Sequence, residues 1–455
     1  MMTRLGRTTP VSALVALGLG SVAFAGTHSP EFEKMSPGRT VDVIVTYASG
    51  ADGSAITPGR RLSALPGGEL RRMTVSEAMR VASMKSVAHT SVNHPILGEG
   101  TTAAPGYDYM PQGIQPQSSP RLGFQVLWQG QNVGVAVIDS GINTKSADLQ
   151  NFGATVVYSE SFVSGEDAND YFGHGTHVAG ILAGTGISSL GFANDIFGVS
   201  PGVNLINLKV LDKNGMSDDA TVIAAIDRAI QFRNRFKIKV INLSLGRPVF
   251  ESFLDDPLCQ EVEKAWLAGI TVVVAAGNDG RLQVAGTNGY GTIASPGNDP
   301  LALTVGAINT EGSPDRSKAL MTTYSSKGPS LVDHVVKPDL VAPGNKIFAI
   351  KAPGSLLADS SPYNNPGNYL VLSGTSMSAA VGSGAAAALL ATNPWLTNNQ
   401  VKARLMKTAG KLPNVSYAID GYTIQNDIFT VGAGYLNLDA ARSYDGPDLP
   451  SNFVA

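Results

Sequence analysis

Val133-Gly134-Val135-Ala136-Val137-Ile138-Asp139-Ser140-Gly141 runs for six residues without a polar side chain and then stops at a carboxylate. A strand that faces water on one side alternates apolar and polar residues. A strand with no alternation is covered on both faces, as in a parallel sheet with helices above and below. Four more near-continuous apolar runs follow, at Leu205 to Leu211, Val240 to Leu245, Ile270 to Ala275 and Leu301 to Ile308. Helical spacing fills the intervals, notably Asp219 to Phe236 and Leu258 to Leu267. Strands alternating with helices predict an α/β fold with a doubly wound, mostly parallel sheet flanked by helices. The small-residue run Ser378 to Leu390 predicts a buried central helix, and Pro394 to Lys407 an amphipathic one opened by a Thr397 cap.

In open sheets of this type, ligands sit beyond the carboxyl ends of the strands. Three polar residues fall at such places. Asp139 ends the first apolar strand, His174 opens the helical segment Gly173-His174-Gly175-Thr176-His177-Val178-Ala179-Gly180, and Ser376 sits in Gly374-Thr375-Ser376-Met377-Ser378 where the Ala-rich helix starts. A serine hydroxyl is a poor nucleophile until a base takes its proton. Imidazole is the natural base near neutral pH, and a buried carboxylate can hold its tautomer and stabilise the imidazolium. A helix N-terminus under the serine supplies N–H groups where negative charge develops. Taken singly, each residue has a plainer reading: a turn for Asp139, a helix start for His174, an N-cap for Ser376. His174 with His177 could also suggest a metal, but no His-Glu-x-x-His or Cys/His cluster accompanies them.

The remaining chain bounds the setting. Arg4 and Arg7 precede the apolar stretch Val11 to Phe24, which ends at Ala23-Phe24-Ala25. This is the pattern of a signal peptide over residues 1–25, and so of a secreted protein, extracellular or periplasmic. The stretch is short for a membrane span, which needs ~20 residues. Without cleavage it would instead act as an anchor. Residues 26–110 read as a small α+β unit, with Val41 to Tyr47 as an edge-type strand and Ser76 to Ser86 as a helix. Gly98 to Pro120 is rich in Gly, Pro, Gln, Ser and Thr, an exposed linker open to proteolytic nicking, most plainly over 111–122. The α/β domain then runs over 123–442, with 443–455 as a loose tail. A net charge of -3 with 15% charged residues gives no reason to expect nucleic acid or membrane as a partner. Cys259 is the only cysteine, which excludes an intrachain disulfide, and it reads as a small buried side chain.

The three blocks around Asp139, His174 and Ser376 resemble the signature segments of the subtilase family of serine endopeptidases, and they stand in that family's chain order. Val274-Ala275-Ala276-Gly277-Asn278-Asp279-Gly280 is similar to the family's oxyanion segment. The resemblance extends from about Gly123 to Ala441, and Asp256-Pro257-Leu258-Cys259-Gln260 is similar to the bacterial AprX-like branch. It implies a secreted serine endopeptidase working through an acyl-enzyme, with Asp139, His174 and Ser376 as triad and Asn278 donating to the oxyanion. It implies substrate contacts at Ser244, Leu245, Gly246, Ala275 and Gly277, and Ala294 at the floor of an apolar pocket. Residues 26–110 are then implied to be an inhibitory propeptide, with polypeptides as substrates. No cofactor is required for this chemistry. Structural calcium stays open, with Glu166-Asp167 and Asp218-Asp219 as acidic candidates. Gly432 to Asn437 resembles the family's closing strand. Two departures are local: Ala380 stands where the family usually has proline, and Ser146-Ala147-Asp148-Leu149 replaces the usual His-Pro-Asp-Leu. Ala380 should let the helix after Ser376 persist. Two other readings compete: a binding scaffold without activity, for which a lost triad residue would speak, and an esterase, for which a Gly-x-Ser-x-Gly elbow would.

Overall fold

The computed structural model describes residues 26–98, 100–102, 130–150, 155–189, 196–282, 286–362, 367–419 and 421–448. The signal-like segment, the 111–122 linker and residues 449–455 lie outside these. Residues 26–92 form their own small layer. Strands β1 (Thr27–His28), β2 (Thr40–Tyr47), β3 (Arg60–Leu65), β4 (Gly68–Thr74) and β5 (Val87–Val92) make one sheet in the order β1-β5-β2-β4-β3. Helix α1 (Val75–Ala82) covers it, opened by a capping box between Thr74 and Glu77. Val43, Val45, Met73, Ala78 and Val81 close a separate core. The sequence predicts an edge strand at Val41 to Tyr47, but β2 lies in the middle of the sheet, paired on both sides. Its alternation is real. One face meets α1, while Ile44 on the other packs into the core of the larger domain.

Two extended pieces then cross to that domain, β6 (Pro95–Gly98) and β7 (Thr101–Thr102). The domain itself is built on β8 (Gly134–Asp139), β9 (Thr155–Ser161), helix α2 (His174–Ala183), β10 (Asn204–Lys209), β11 (Met216–Asp218), α3 (Asp219–Phe232), β12 (Ile238–Leu243) and β13 (Leu245–Gly246). It continues with α4 (Pro257–Leu267), β14 (Thr271–Ala275), β15 (Leu303–Asn309), β16 (Leu320–Met321), β17 (Leu340–Pro343), β18 (Ile347–Ile350), β19 (Tyr369–Ser373), α5 (Thr375–Thr392) and α6 (Asn398–Lys407). The main sheet has eight strands in the order β16-β15-β14-β12-β8-β10-β9, with β17 also on β15, and only β16 runs antiparallel. The chain leaves β8 toward β9, returns through β10 and passes over to β12. The switch in direction therefore lies at β8, and the crevice there opens beyond Asp139.

Alternate residues of β8 feed opposite cores. Val135 and Val137 join α2 and α5 on one face, while Ala136 and Ile138 join α3 and α4 on the other. Helix α5 is enclosed from Thr375 to Leu390. It is long and apolar enough to cross a membrane by composition, but 89% of it is buried in the fold. Enclosure on all sides explains its composition, since only Ala, Gly and Ser let neighbouring backbones approach. Ala380 does not interrupt it, as expected. A Cβ at Gly384 would stand 2.7 Å from Val199 Cβ. The predicted Thr397 cap is present as a capping box with Gln400. Gly432 to Asn437, expected as a closing strand, contributes only single bridges from Tyr435 to Val341 and Gly410. The tail is less loose than its composition suggests: Asp448 pairs with Arg404 on α6.

The two layers meet through buried polar groups. Glu251 accepts from Ser91 Oγ at 2.5 Å and lies 3.0 Å from His89 Nε2. Asn93 Oδ1 accepts from the Ala220 N–H at the start of α3, and Asp219 accepts from the His94 N–H. Asp219 and Asp256 also flank buried Arg247, at 2.7 and 2.8 Å. Gly384→Val is expected to lower Tm, because overpacking of this kind costs about 1–3 kcal/mol. Calorimetry checks it, and an unchanged Tm would show that Val199 has room to yield.

Candidate active site

Asp139 stands at the C-terminal end of β8 and His174 is the first residue of α2; both are buried. His174 Nδ1 lies 2.8 Å from Asp139 Oδ1 and 3.0 Å from Oδ2. The same carboxylate accepts the Ser140 N–H at 2.7 Å, so its orientation is held independently of the ring. Only glycine permits this approach at position 175, where a Cβ would stand 2.2 Å from Gly141 O.

A second carboxylate, not singled out in the sequence, fixes the first turn of α2. Asp170 accepts from Ser140 Oγ at 2.8 Å, Gly173 N at 2.6 Å and Thr176 N at 2.8 Å. Ser140 Oγ in turn accepts the Gly175 N–H at 2.8 Å. Burial pushes the Asp170 carboxyl up, while these donors pull it down. The signal available in the sequence was an Asp four residues ahead of His174, a spacing suited to a helix start. Lys209, which pairs in register with Asp139, donates from Nζ to Ser140 O at 2.6 Å and lies 3.2 Å from Glu166. His177 does a different job from His174. Its buried Nε2 lies 3.1 Å from both Ile347 O and Leu370 O, tying α2 to β18 and β19. Burial depresses its pKa to about 3, so the ring is neutral at working pH.

Ser376 sits in the first turn of α5. Its hydroxyl donates to Ser244 O at 3.0 Å, and Ser244 Oγ donates back to Ser376 O at 3.0 Å. Asn242 Nδ2 donates to Ser244 Oγ and accepts at Oδ1 from Ser383 Oγ, both at 2.9 Å, so the helix start is locked to the sheet. Ser244, expected to meet substrate, thus also supports the nucleophile. Asn278 Oδ1 accepts from Thr375 N at 3.0 Å and from Thr375 Oγ1 at 3.2 Å. With the oxygen taken, the amide N–H2 is the end of the side chain left to donate. Thr375 Oγ1 also accepts the Gly277 N–H at 3.1 Å, and Gly277 O accepts from Ser326 N. Gly277 therefore has both backbone groups committed. A Cβ on it would lie 3.1 Å from the Cβ of Ala294, which is buried beside it. Ala275 is fully buried at the end of β14.

The edge at Leu245 and Gly246 is already paired. Gly98 lies opposite Leu245 and Leu97 opposite Gly246, antiparallel. On the other side, Pro95, Ile96 and Leu97 pair with β11, making β6 the middle of three strands. The part played by β11 was not legible in the sequence, because Met216-Ser217-Asp218 carries no pattern of its own. Further on, Thr101 and Thr102 pair with Ser373 and Leu372 of β19. Residues 100–102, read as the start of an exposed linker, belong to this cleft.

The acidic pairs considered for calcium are engaged within the protein. Glu166 faces Lys209, Asp167 accepts from Asn169, Asp218 caps α3 and Asp219 meets Arg247. Among the described residues no three His, Cys, Asp or Glu side chains gather as a metal site. Cys259 is buried, with Sγ 3.5 Å from Asn298 Oδ1, and burial raises its thiol pKa.

A family model described as "Subtilase family" matches residues 130–434. Serine protease AprX of Bacillus subtilis (strain 168) is 34% identical over 309 residues, covering 66% of this chain and 66% of that protein. Subtilisin DY of Bacillus licheniformis is 34% identical over 315 residues, 69% of this chain and 92% of the relative. Among solved structures, fervidolysin from Fervidobacterium pennivorans, a keratinolytic enzyme related to subtilisin, shares the fold. Its TM-score is 0.65 at 21% identity, covering 93% of this chain and 63% of that one. The chain spans about two thirds of the length of AprX. The matched range begins at the first described residue of the α/β domain and ends beside the bridges of Tyr435 that close it. This chain belongs to the subtilase family, the subtilisin-like serine endopeptidases, on its AprX-like side.

Proposed function

We propose that this chain is an exported, self-inhibited serine endopeptidase in which Ser376, His174 and Asp139 cut polypeptides through an acyl-enzyme. The observation that carries the reading is the pairing of Pro95–Gly98 and Thr101–Thr102, whose backbones lie on the edges of β11, β13 and β19. A peptide substrate recognised by strand addition would make the same kind of backbone pairing, whatever its side chains. Residues 26–98, with their own sheet and core, act as the inhibitory propeptide. Export rests on the basic, apolar and Ala-x-Ala pattern of residues 1–25.

The proposed chemistry needs no cofactor. Ser376 Oγ attacks the carbonyl carbon and passes its proton to His174 Nε2, while Asp139 holds the Nδ1–H and stabilises the imidazolium. The charge that forms on the carbonyl oxygen is met by the Asn278 amide and the Ser376 N–H at the start of α5. The imidazolium then protonates the leaving nitrogen, and water repeats the sequence on the ester. Ala294 beside Gly277 gives a small apolar lining without a carboxylate, so apolar side chains are preferred over Lys or Arg on the acyl side.

Three outcomes follow. Ser376→Ala should abolish casein hydrolysis and fluorophosphonate labelling and leave the precursor intact on gels; normal maturation of this variant in a protease-free host would exclude self-processing. Activity should rise with pH through about 6–7, the range of a free imidazole. The His177 ring, neutral down to about 3, should contribute nothing to that limb. The pH profile of His177→Gln, compared with wild type, tests this, and loss of the limb would move the base assignment from His174. Asn278→Leu should lower kcat by about 10²–10³ with little change in KM, since the donor acts on charge present only in the transition state. That magnitude is the one measured for such a donor in subtilisin, a relative. Wild-type turnover per titrated site would show that Asn278 is only structural.

A further inference from the structure

We propose that Arg281 selects substrates by charge on the leaving side of the cleft: its guanidinium, held against Tyr324 and Tyr422, draws an acidic side chain at the second or third residue after the bond that is cut. The proposal rests on the endopeptidase reading above and adds a charge rule to it. Arg281 follows Asn278 by three residues, and the segment between them is fixed along its length. Gly277 O accepts the Ser326 N–H at 2.9 Å, the Asp279 N–H donates to Ser326 Oγ at 3.1 Å, and the Gly280 N–H donates to Tyr324 O at 2.8 Å. Only glycine fits at 280, where a Cβ would stand 2.1 Å from Ser325 O.

The side chain is held as firmly as its backbone. Arg281 Nε donates to Thr323 Oγ1 at 2.8 Å, and Cζ lies 6.0 Å from the Tyr324 ring centroid and 5.7 Å from that of Tyr422. Tyr422 opens strand β21 (Tyr422–Gln425), which pairs with β20 (Ser416–Ile419). This hairpin is tied to the same wall, since Asn288 Nδ2 donates to Thr423 O at 2.8 Å and the Met321 N–H to Tyr417 Oη at 2.5 Å. Arg281 is nonetheless exposed, and among the described residues it has no ion pair. A guanidinium fixed through Nε and two rings keeps its outer amino groups in the fork that matches a carboxylate.

Tyr324 places this group on one side of the cleft. Its hydroxyl donates to Gly344 O at 2.9 Å, and the same carbonyl accepts the Gly374 N–H at 2.9 Å. Gly374 follows Ser373, the residue opposite Thr101. A substrate running in the direction of Pro95–Gly98 and Thr101–Thr102 has its acyl segment on Leu245 and Gly246 and its leaving segment on Leu372 and Ser373. Arg281 therefore borders the leaving segment. An extended chain advances about 3.3–3.6 Å per residue, so Arg281 stands at most about 10 Å along the chain from Asn278. With the reacting carbonyl at Asn278, that span reaches the second or third residue after the cut. Lys346 adds a second cation on this side: its N–H donates to Ser373 Oγ at 2.9 Å, and its exposed side chain has no ion pair among the described residues.

The test uses enzyme matured from the full-length chain and internally quenched peptides that differ only in carrying Glu, Gln or Lys at the second or third residue after the cut, with the cut located by mass spectrometry. Wild type at low salt should favour Glu over Lys by about threefold to fivefold in kcat/KM, chiefly through KM, as one exposed ion pair allows. The preference should fade in 1 M NaCl, where such pairs are screened. Arg281→Gln should level the Glu and Gln peptides, Arg281→Glu should invert the order, and Arg281→Lys should keep a reduced preference. Equal rates for Glu and Lys peptides with wild type would overturn the proposal without any variant having to fold. So would an equal loss on all three peptides in Arg281→Gln with a lowered Tm, because Arg281 would then serve only to hold the hairpin. Absence of hydrolysis of every peptide by wild type would instead overturn the endopeptidase reading itself.

Discussion

The structure depends on the enclosure of helix α5. A helix surrounded on every side cannot carry large residues on any face, and α5 from Ser376 to Ala388 is almost wholly Ala, Ser and Gly. In return its position is set by close backbone approach rather than by adjustable side chains. Gly382 lies against Val273 and Val305 of the sheet, and Gly384 against Val199. The start of the helix is pinned further by the line of hydroxyl and amide bonds from Ser383 through Asn242 and Ser244 to Ser376. Ser376, the proposed nucleophile, has little freedom to drift on such an element, and small misplacements of reacting groups cost much in rate.

The base is held by a different principle. His174 and Asp139 are removed from water, so their pairing is strong, but a buried polar group without partners would be costly. The surroundings answer this with fixed donors. Ser140 N–H turns the Asp139 carboxylate, and Asp170 collects three donors that shape the turn from which His174 projects. Asp170 contacts Ser140, Gly173 and Thr176 and reaches the proposed base only through that turn, as a positioning residue would. The two histidines of one helix turn are separated in role by the same logic. His177 meets two backbone carbonyls and burial keeps it neutral, whereas His174 faces the carboxylate and the cleft.

An open sheet edge is a hazard, since unpaired N–H and C=O groups attract any extended chain; in the proposed function the same property is the means of recognition. Here β11, β13 and β19 are all paired by residues 95–102 of the same chain. The small domain carrying that strand is anchored far from the cleft by Glu251 with His89 and Ser91, and by Asn93 and His94 at the start of α3. Under the proposed reading, covering the edge and blocking Ser376 are one physical act.

Much of this was legible in the residues alone. Doubly buried strands announce themselves by near-continuous apolar runs, so the sheet, its helices, the strand-end position of Asp139 and the helix-start positions of His174 and Ser376 could be read directly. Local signals also sufficed for the Thr397 cap and for the burial of Cys259. What the sequence could not decide was pairing between distant segments. Val41 to Tyr47 alternates like an edge strand, yet it lies mid-sheet because its second face meets the larger domain through Ile44. Gly98, Thr101 and Thr102 belong to a stretch with the composition of a loop, and only the edges offered by Leu245, Leu372 and Ser373 bring them into strands. Asp170, one acidic residue among many, acquires its role when three donors converge on it in a buried turn. Periodicity and composition record how much of a segment is buried; the identity of the partner that buries it is a property of the folded chain.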